Sequence, residues 1–188
     1  KSYLCRMRTF VMGDIHGAYL ALKQCLERAS FDYADDTLIQ LGDVVDGHPG
    51  VFQCVGELLK IRNLVAIKGN HDEWFNEYLK SGMHPDRWAQ GGKATASSYL
   101  CQIDKKDMIT PVESGYMVAL NPADVPQEHQ AFFRQQLLYY IDDHNNLFVH
   151  AGFNRHQVFK GQAPEVYYWD RHLWLQALSF VATARNDN

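Results

Sequence analysis

The sequence predicts an α/β fold in which parallel strands alternate with helices. Three short apolar runs, at residues 9–12, 37–41 and 64–67, each end in a glycine-anchored turn. Between these runs, apolar residues recur every three to four positions, as is typical of amphipathic helices. Strands that alternate with helices in this way favour a parallel sheet with helical crossovers. Ligands of such folds collect at the carboxyl ends of the strands, so the three turns should meet in space.

Two helices connect the three predicted strands. The first is predicted over residues 18–29, because Leu22, Leu26 and Ala29 recur at helical spacing. The second is predicted over residues 52–59, where the apolar positions are Phe52, Val55, Leu58 and Leu59. Each helix returns the chain to the start of the next strand.

The second half of the chain is less regular. Its predicted elements are a helical stretch over 73–100 that is broken at 81–82 and 91–92, a strand within 111–120, a helix over 126–138 with Asp124 as its cap, a strand over 147–149 and a helix over 172–184. No linker, repeat or low-complexity segment divides the chain. We therefore predict a single domain over residues 1–188.

The composition sets limits on function. Hydrophobic residues make up 46% of the 188 residues, as is typical of a globular protein. A net charge of −4 and the lack of a Lys/Arg block argue against non-specific nucleic-acid binding. No apolar stretch is long enough to span a bilayer, and no leader signal opens the chain. The four cysteines show no CxxC spacing, which predicts free thiols and a cytoplasmic protein.

The most informative residues lie in the turns that follow the strands. The motifs are GDIHG at 13–17, GDVVDG at 42–47, GNHD at 69–72 and HAG at 150–152. Oxygen and imidazole ligands that converge from such turns suit divalent metal ions held side by side, which hydrolyse phosphate esters. A single Gly-Asp pair could simply cap a turn or a helix. Together, the motifs indicate a metal site.

Their spacing assigns candidate ligands for two ions. Asp14 and His16 are two positions apart, so both point to the same side of an extended chain. With Asp43 they offer two carboxylates and an imidazole for one ion. Asn70 and His150 would hold a second ion that shares Asp43. Two such ions would polarise the phosphoryl oxygens and convert a bridging water into hydroxide near neutral pH.

The leaving alcohol needs a proton, and His71 is the candidate donor. It follows Asn70 directly and so faces the same cleft from another angle. Asp46 would accept the other ring proton of His71, which keeps the imidazole oriented and protonated.

With these residues in place, the chain resembles the phosphoprotein-phosphatase branch of the calcineurin-like metallophosphoesterases over residues 10–152. The WAQGG segment at 88–92, followed by Thr95, is similar to the small bacterial and phage members. The resemblance implies a β-sandwich of mixed sheets flanked by helices, and two divalent ions, manganese with iron or zinc as alternatives. It implies metal ligands at Asp14, His16, Asp43, Asn70 and His150, and an acid pair of His71 and Asp46.

The sequence departs from the family pattern at two places. In the family, the second motif normally reads Asp-Arg-Gly, and its arginine binds the substrate phosphate. In this sequence Gly47 follows Asp46 instead. His48 is the candidate substitute, although it lacks the bidentate fork of arginine. The family's second phosphate-binding arginine is best matched by Arg171. A final metal-binding histidine in a Gly-His motif is missing, and we expect it and the last strands to lie beyond Asn188.

These observations predict a metal-dependent phosphoesterase that acts on phosphorylated proteins or small phosphoesters, in the first place as a Ser/Thr protein phosphatase. Two alternatives stay open. A dinucleoside polyphosphate hydrolase shares the motifs, and the two departures are compatible with a non-catalytic phosphate-binding pseudo-phosphatase. We expect no nucleic-acid or membrane partner, and the sequence does not determine the oligomeric state.

Overall fold

The structure of the protein, a computed structural model, describes residues 7–105, 109–112 and 115–186. The strands in these residues are β1 (Thr9–Met12), β2 (Thr37–Gln40), β3 (Asn63–Ala66), β4 (Ile109–Val112), β5 (Gly115–Val118), β6 (Tyr139–Ile141) and β7 (Leu147–Val149). The helices are α1 (Tyr19–Arg28), α2 (Val51–Leu58), α3 (Asn70–Ser81), α4 (Gly92–Leu100), α5 (Gln127–Gln135), α6 (Pro164–Trp169) and α7 (His172–Asn186). Short 3-10 helices cover Asp86–Ala89, Cys101–Ile103 and Pro122–Asp124.

The first three strands form a parallel sheet in the order β1-β2-β3. They pair in register, with Phe10 opposite Leu38 and Leu38 opposite Leu64. Helices α1 and α2 are the crossovers, because each connects one strand to the next in the sheet. The prediction of a parallel βαβ unit is confirmed, and its carboxyl ends bring three of the motifs to one edge.

Antiparallel pairs complete the mixed α/β fold. Strands β4 and β5 form one pair, and β6 and β7 form another. A parallel bridge between Ile67 and Leu137 places the chain before β6 beside the end of β3. The sequence indicated one strand where β4 and β5 form a hairpin, and it did not indicate β6 or α6. The predicted helical stretch is broken as expected, since α3 ends at Ser81 and α4 begins at Gly92.

An aromatic cluster forms the core beneath the loops that follow the sheet. Phe75 of α3 lies 5.5 Å from Trp88, 5.6 Å from Tyr99 and 5.1 Å from Phe133, measured between ring centroids. All four side chains are buried. Burial of each contributes roughly 1.5–3 kcal/mol, so the cluster firmly joins α3, the 3-10 turn at Asp86–Ala89, α4 and α5. None of the helices in the described residues is both long enough and apolar enough to cross a bilayer.

A buried carboxylate, that of Glu57, joins α1 and α2. Glu57 accepts hydrogen bonds from Lys60 at 2.7 Å, Tyr33 at 2.6 Å and Lys23 at 3.2 Å. Burial alone would raise the pKa of Glu57, but these donors outweigh it and lower the pKa to about 2. The ion-paired form of Glu57 therefore stabilises the folded state above its ordinary pKa of 4.5.

We expect this contribution to be lost as the pH falls from about 4.5 towards 2, because Glu57 then takes up a proton that breaks its pairs. The Glu57 contribution should decrease by at most about 1.4 kcal/mol per pH unit. Urea unfolding at a series of pH values would measure it, with Glu57→Gln giving a shallower acid slope. Glu27→Gln, at an exposed position on α1, is the matched control. Equal slopes for Glu57→Gln and the unmutated protein would contradict the prediction.

Candidate metal centre

The loops after β1 and β2 and the turn after β7 converge on Asp43, whose side chain is buried. Asp43 Oδ2 lies 3.8 Å from His16 Nε2 and 3.6 Å from His150 Nε2. These separations exceed a good hydrogen bond, as expected of atoms that surround a cation rather than bind each other. The carboxylate of Asp43 thus stands between two imidazole nitrogens that come from distant parts of the chain.

Two groups of potential metal ligands share Asp43. One comprises His16, Asp43 and His71, and the other comprises Asp14, Asp43 and His150. Within each group the ligand atoms lie within 4.8 Å of one another. The sequence had assigned Asp14 to the ion of His16, whereas in the structure Asp14 also lies 3.9 Å from His150 Nδ1. Asp14 Oδ2 is likewise 3.9 Å from His16 Nε2, so Asp14 lies between the two histidines.

Backbone carbonyls fix which ring nitrogen of two of these histidines faces Asp43. His16 Nδ1 lies 2.9 Å from the carbonyl of Val45, and His150 Nδ1 lies 2.8 Å from that of Leu41. A carbonyl oxygen only accepts, so each Nδ1 carries the proton and donates it. The lone pair of each Nε2 is therefore directed towards Asp43, as in metal-binding histidines held by an outer carbonyl. Imidazole nitrogens with carboxylate oxygens suit manganese, iron or zinc.

The backbone of the site is held in a left-handed conformation at three non-glycine positions. The φ angles are 47° at His16, 55° at Asp43 and 70° at Asp46. Such conformations cost about 1–3 kcal/mol each and persist where surrounding contacts enforce them. The carbonyl of Asp43 accepts hydrogen bonds from the amides of Ile15 and His16 at 3.0 and 2.9 Å. The first and second motifs are therefore tied together through backbone contacts.

Asp72, to which the sequence gave no role, organises the loop of Asp43. Its carboxylate is fully buried and accepts hydrogen bonds from the amides of Asp43 and Val44, both at 2.9 Å. It also accepts from the amide of Gly69 at 3.2 Å and from Gln136 Nε2 at 2.8 Å. Burial, and then the charge of Asp43, raise the pKa of Asp72 above its usual range. The only signal in the sequence was its place as the last residue of GNHD.

The two residues of the predicted acid pair are in contact. His71 Nδ1 lies 2.7 Å from Asp46 Oδ2, and the side chain of Asp46 is buried. Burial lowers the pKa of His71, but the hydrogen bond that its ring donates to Asp46 and the charge of Asp43 outweigh burial, so the pKa is raised. The amide of His71 donates to Asp43 Oδ1 at 3.0 Å, which leaves Oδ2 for the other histidines. The arrangement favours a protonated imidazole at His71, although the geometry also includes this residue in the candidate ligand group of His16 and Asp43.

The remaining predicted residues lie around this centre. Asn70 is buried as the first residue of α3, directly before His71. His48 is exposed, and its amide donates to the carbonyls of His16 and Asp46, both at 2.8 Å. Among the described contacts, the side chain of His48 does not reach the ligand group. Gly47, the position at which the resemblance implies an arginine, has a φ of +73°, and a Cβ there would lie 3.0 Å from His16 Cβ.

Arg171 does not approach the ligand group within the described contacts. It is exposed at the start of α7, and its guanidinium lies 6.0 Å from the ring centroid of Trp169. Trp169 in turn lies 5.6 Å from Trp74, and Trp74 lies 4.6 Å from His71. The structure thus connects Arg171 to His71 through two indole rings rather than by direct contact.

Sequence comparison finds similarity to known phosphoesterases. The family model described as calcineurin-like phosphoesterase matches residues 7–177. A symmetrical bis(5'-nucleosyl)-tetraphosphatase of Pseudomonas fluorescens is 29% identical over 147 residues, which are 78% of this chain and 43% of that protein. A serine/threonine-protein phosphatase 1 of Salmonella typhimurium is 36% identical over 64 residues, which are 34% of this chain and 29% of that protein. The chain thus spans less than half the length of these relatives.

The fold is shared with solved structures. A crystal structure of a proposed diadenosine tetraphosphatase superposes with a TM-score of 0.59 and 21% sequence identity. The superposition covers 85% of this chain and 57% of that chain. It supports the arrangement of the strands and helices that carry the ligand group.

Proposed function

Because the chain belongs to the calcineurin-like phosphoesterase family, whose members are metal-dependent hydrolases, we propose that it hydrolyses phosphate monoesters of proteins at a two-metal centre. The observation that carries the proposal is the position of Asp43 Oδ2, 3.8 Å from His16 Nε2 and 3.6 Å from His150 Nε2. One carboxylate with an imidazole on each side suits a bridge between two cations.

The ligand roles follow from the two groups around Asp43. His16 would hold one ion and His150 the other, with Asp43 shared and Asp14 between the two histidines. Asn70 would add an amide oxygen from the start of α3. Manganese is the proposed metal, with iron or zinc as alternatives, because the donors are nitrogen and oxygen. When bound, such ions polarise the phosphoryl oxygens and activate water for attack on phosphorus.

The residues of the acid pair would complete the reaction. As the bond between phosphorus and the leaving oxygen breaks, His71 Nε2 donates its proton to that oxygen. The Nδ1 proton stays on the ring, because Asp46 accepts it in a 2.7 Å hydrogen bond. A neutral alcohol then leaves in place of an alkoxide, and the imidazole regains its proton from solvent.

A cavity next to His71 favours a protein substrate over a dinucleoside polyphosphate. It has a volume of about 380 Å³ and shares Trp74 with the contacts of His71. Its charged lining residues are the acidic Glu73, Glu77, Asp86 and Glu165 and the basic Arg87, so acidic groups outnumber basic ones there. Like charges at short range repel, so these groups would disfavour the additional phosphates of a polyphosphate chain. A neutral or basic peptide avoids that repulsion.

A symmetrical dinucleoside tetraphosphatase is the second candidate function. The observation that favours it is the similarity to the Pseudomonas fluorescens tetraphosphatase, which extends over 78% of this chain. The similarity to the Salmonella typhimurium phosphatase extends over 34% of it. The two candidate functions would use the same metal centre and acid pair. They differ in the part of the substrate that is attached to the phosphate.

Steady-state hydrolysis with added manganese separates the candidates. We expect kcat/KM for a phosphoserine peptide to exceed kcat/KM for diadenosine tetraphosphate, because the cavity carboxylates disfavour the polyphosphate. Faster hydrolysis of diadenosine tetraphosphate would overturn the proposed substrate class and support the second candidate. A protein that binds two ions and hydrolyses neither substrate would contradict both, and would instead match a phosphate-binding pseudo-phosphatase.

A further inference from the structure

Two side chains from outside the four motifs converge on Asp46. Trp88 Nε1 donates a hydrogen bond to Asp46 Oδ1 at 3.0 Å. The hydroxyl of Thr95 donates to the same oxygen at 2.6 Å and accepts from the amide of Asp46 at 2.8 Å. Trp88, Thr95 and Asp46 are all buried. The contact therefore joins the 3-10 turn at Asp86–Ala89 and helix α4 to the second motif.

These bonds determine which way the Asp46 carboxylate points. Oδ1 receives two donors, and Oδ2 receives the Nδ1 proton of His71 at 2.7 Å. If a buried carboxylate loses a donor, an oxygen is left without a hydrogen bond, which is unfavourable. The Asp46 carboxylate would then rotate or bind a water molecule. With Oδ1 held on one side, Oδ2 stays in line with the His71 ring. The orientation of His71 thus depends on Trp88 and Thr95.

The backbone between Trp88 and Thr95 is shaped to make this contact. Gly91 has a φ of +109°, and a Cβ there would lie 2.9 Å from Asp46 Cβ. A larger residue at this position would push α4 away from Asp46 and lengthen the Thr95 bonds. The turn and the start of α4 therefore pack closely against the Asp46 side chain.

We propose that Trp88 and Thr95 are positioning residues for the proton donor, acting on His71 through Asp46. This inference rests on the proposed function, and it concerns the proton given to the leaving oxygen rather than metal binding. Neither side chain belongs to the ligand groups around Asp43. Loss of either side chain should slow the hydrolysis of esters whose leaving group needs a proton. It should leave the hydrolysis of other esters nearly unchanged.

The test compares two phosphate esters that differ in the need for a proton. Phenol is a poor leaving group without a proton, whereas 2,4-dinitrophenol leaves readily as the anion. For Thr95→Val and for Trp88→Phe, we expect kcat on phenyl phosphate to fall roughly 10- to 100-fold, as part of the contribution of a general acid. We expect kcat on 2,4-dinitrophenyl phosphate to change by less than about threefold. Thr95→Ser keeps the hydroxyl and should recover most of the loss.

The ratio of the two rates separates positioning from a general structural defect, because misfolding lowers both rates equally. A second readout does not require activity. By NMR, the Nδ1 proton of His71 should exchange with solvent faster in Thr95→Val and Trp88→Phe than in Thr95→Ser or the unmutated protein. Equal losses on both esters, or an unchanged rate of proton exchange, would overturn the inference. If the unmutated protein hydrolyses neither ester, the proposed function fails, and the exchange rate alone decides the role of Trp88 and Thr95.

Discussion

Asp43→Asn should lower kcat on the order of 10³-fold and release at least one of two bound ions. The substitution keeps the shape of the side chain but removes the negative charge that both cations would share. Bound metals contribute several kcal/mol of charge stabilisation in such reactions, and each 1.4 kcal/mol is a tenfold change in rate. Asparagine also tolerates the left-handed backbone of Asp43, whose φ is 55°, so the substitution tests charge rather than conformation.

Asp104→Asn provides the matched control. Asp104 is an exposed aspartate with a nearly identical φ of 54°, and it lies outside the ligand groups. Metal content by elemental analysis and kcat on a phosphoserine peptide are the measurements. Retention of two ions and of near-normal kcat in Asp43→Asn would contradict the assignment of Asp43 as the bridge.

His71→Asn should lower kcat on phenyl phosphate by about 10²- to 10⁴-fold, the range typical of a lost general acid. The loss should be much smaller on 2,4-dinitrophenyl phosphate, which needs no proton at its leaving oxygen. Both bound ions should remain, because the proposed role of His71 is to donate a proton. His144→Asn, which replaces an exposed histidine, should leave both rates unchanged.

Metal content decides between two roles for His71. It belongs to a group with His16 and Asp43 whose ligand atoms lie within 4.8 Å of one another, so the geometry also permits it to bind an ion. Its hydrogen bond to Asp46 suits a proton donor, as does its raised pKa. Loss of one ion in His71→Asn, with equal falls in rate on both esters, would show a ligand rather than an acid.

Local patterns in the sequence were sufficient to predict the part of the fold that carries the motifs. The apolar runs that became β1, β2 and β3 end in glycine turns and alternate with amphipathic helices, so their parallel order follows from general rules of chain connection. Strand β6 and helix α6 were not predicted from the sequence, for a physical reason. Each is short, at Tyr139–Ile141 and Pro164–Trp169, and β6 depends on its pairing with β7.

The sequence indicates which residues the structure brings together around Asp43, but not all of the contacts between them. The pairing of Asp43 with His16 and His150 follows from where the strands end, which the sequence indicates. The nearness of His150 to Asp14 depends on the long-range bond from His150 Nδ1 to the carbonyl of Leu41, which local patterns do not specify. The bonds from Trp88 and Thr95 to Asp46 join residues that are 42 and 49 positions apart, so only the folded chain reveals them.

Anomalous diffraction from crystals grown with manganese tests most directly whether Asp43 joins two cations. The predicted result is two anomalous peaks that flank Asp43 Oδ2, one within bonding distance of His16 Nε2 and the other of His150 Nε2. A single peak that touches only one of these histidines, or no peak at Asp43 in crystals that contain manganese elsewhere, would contradict it.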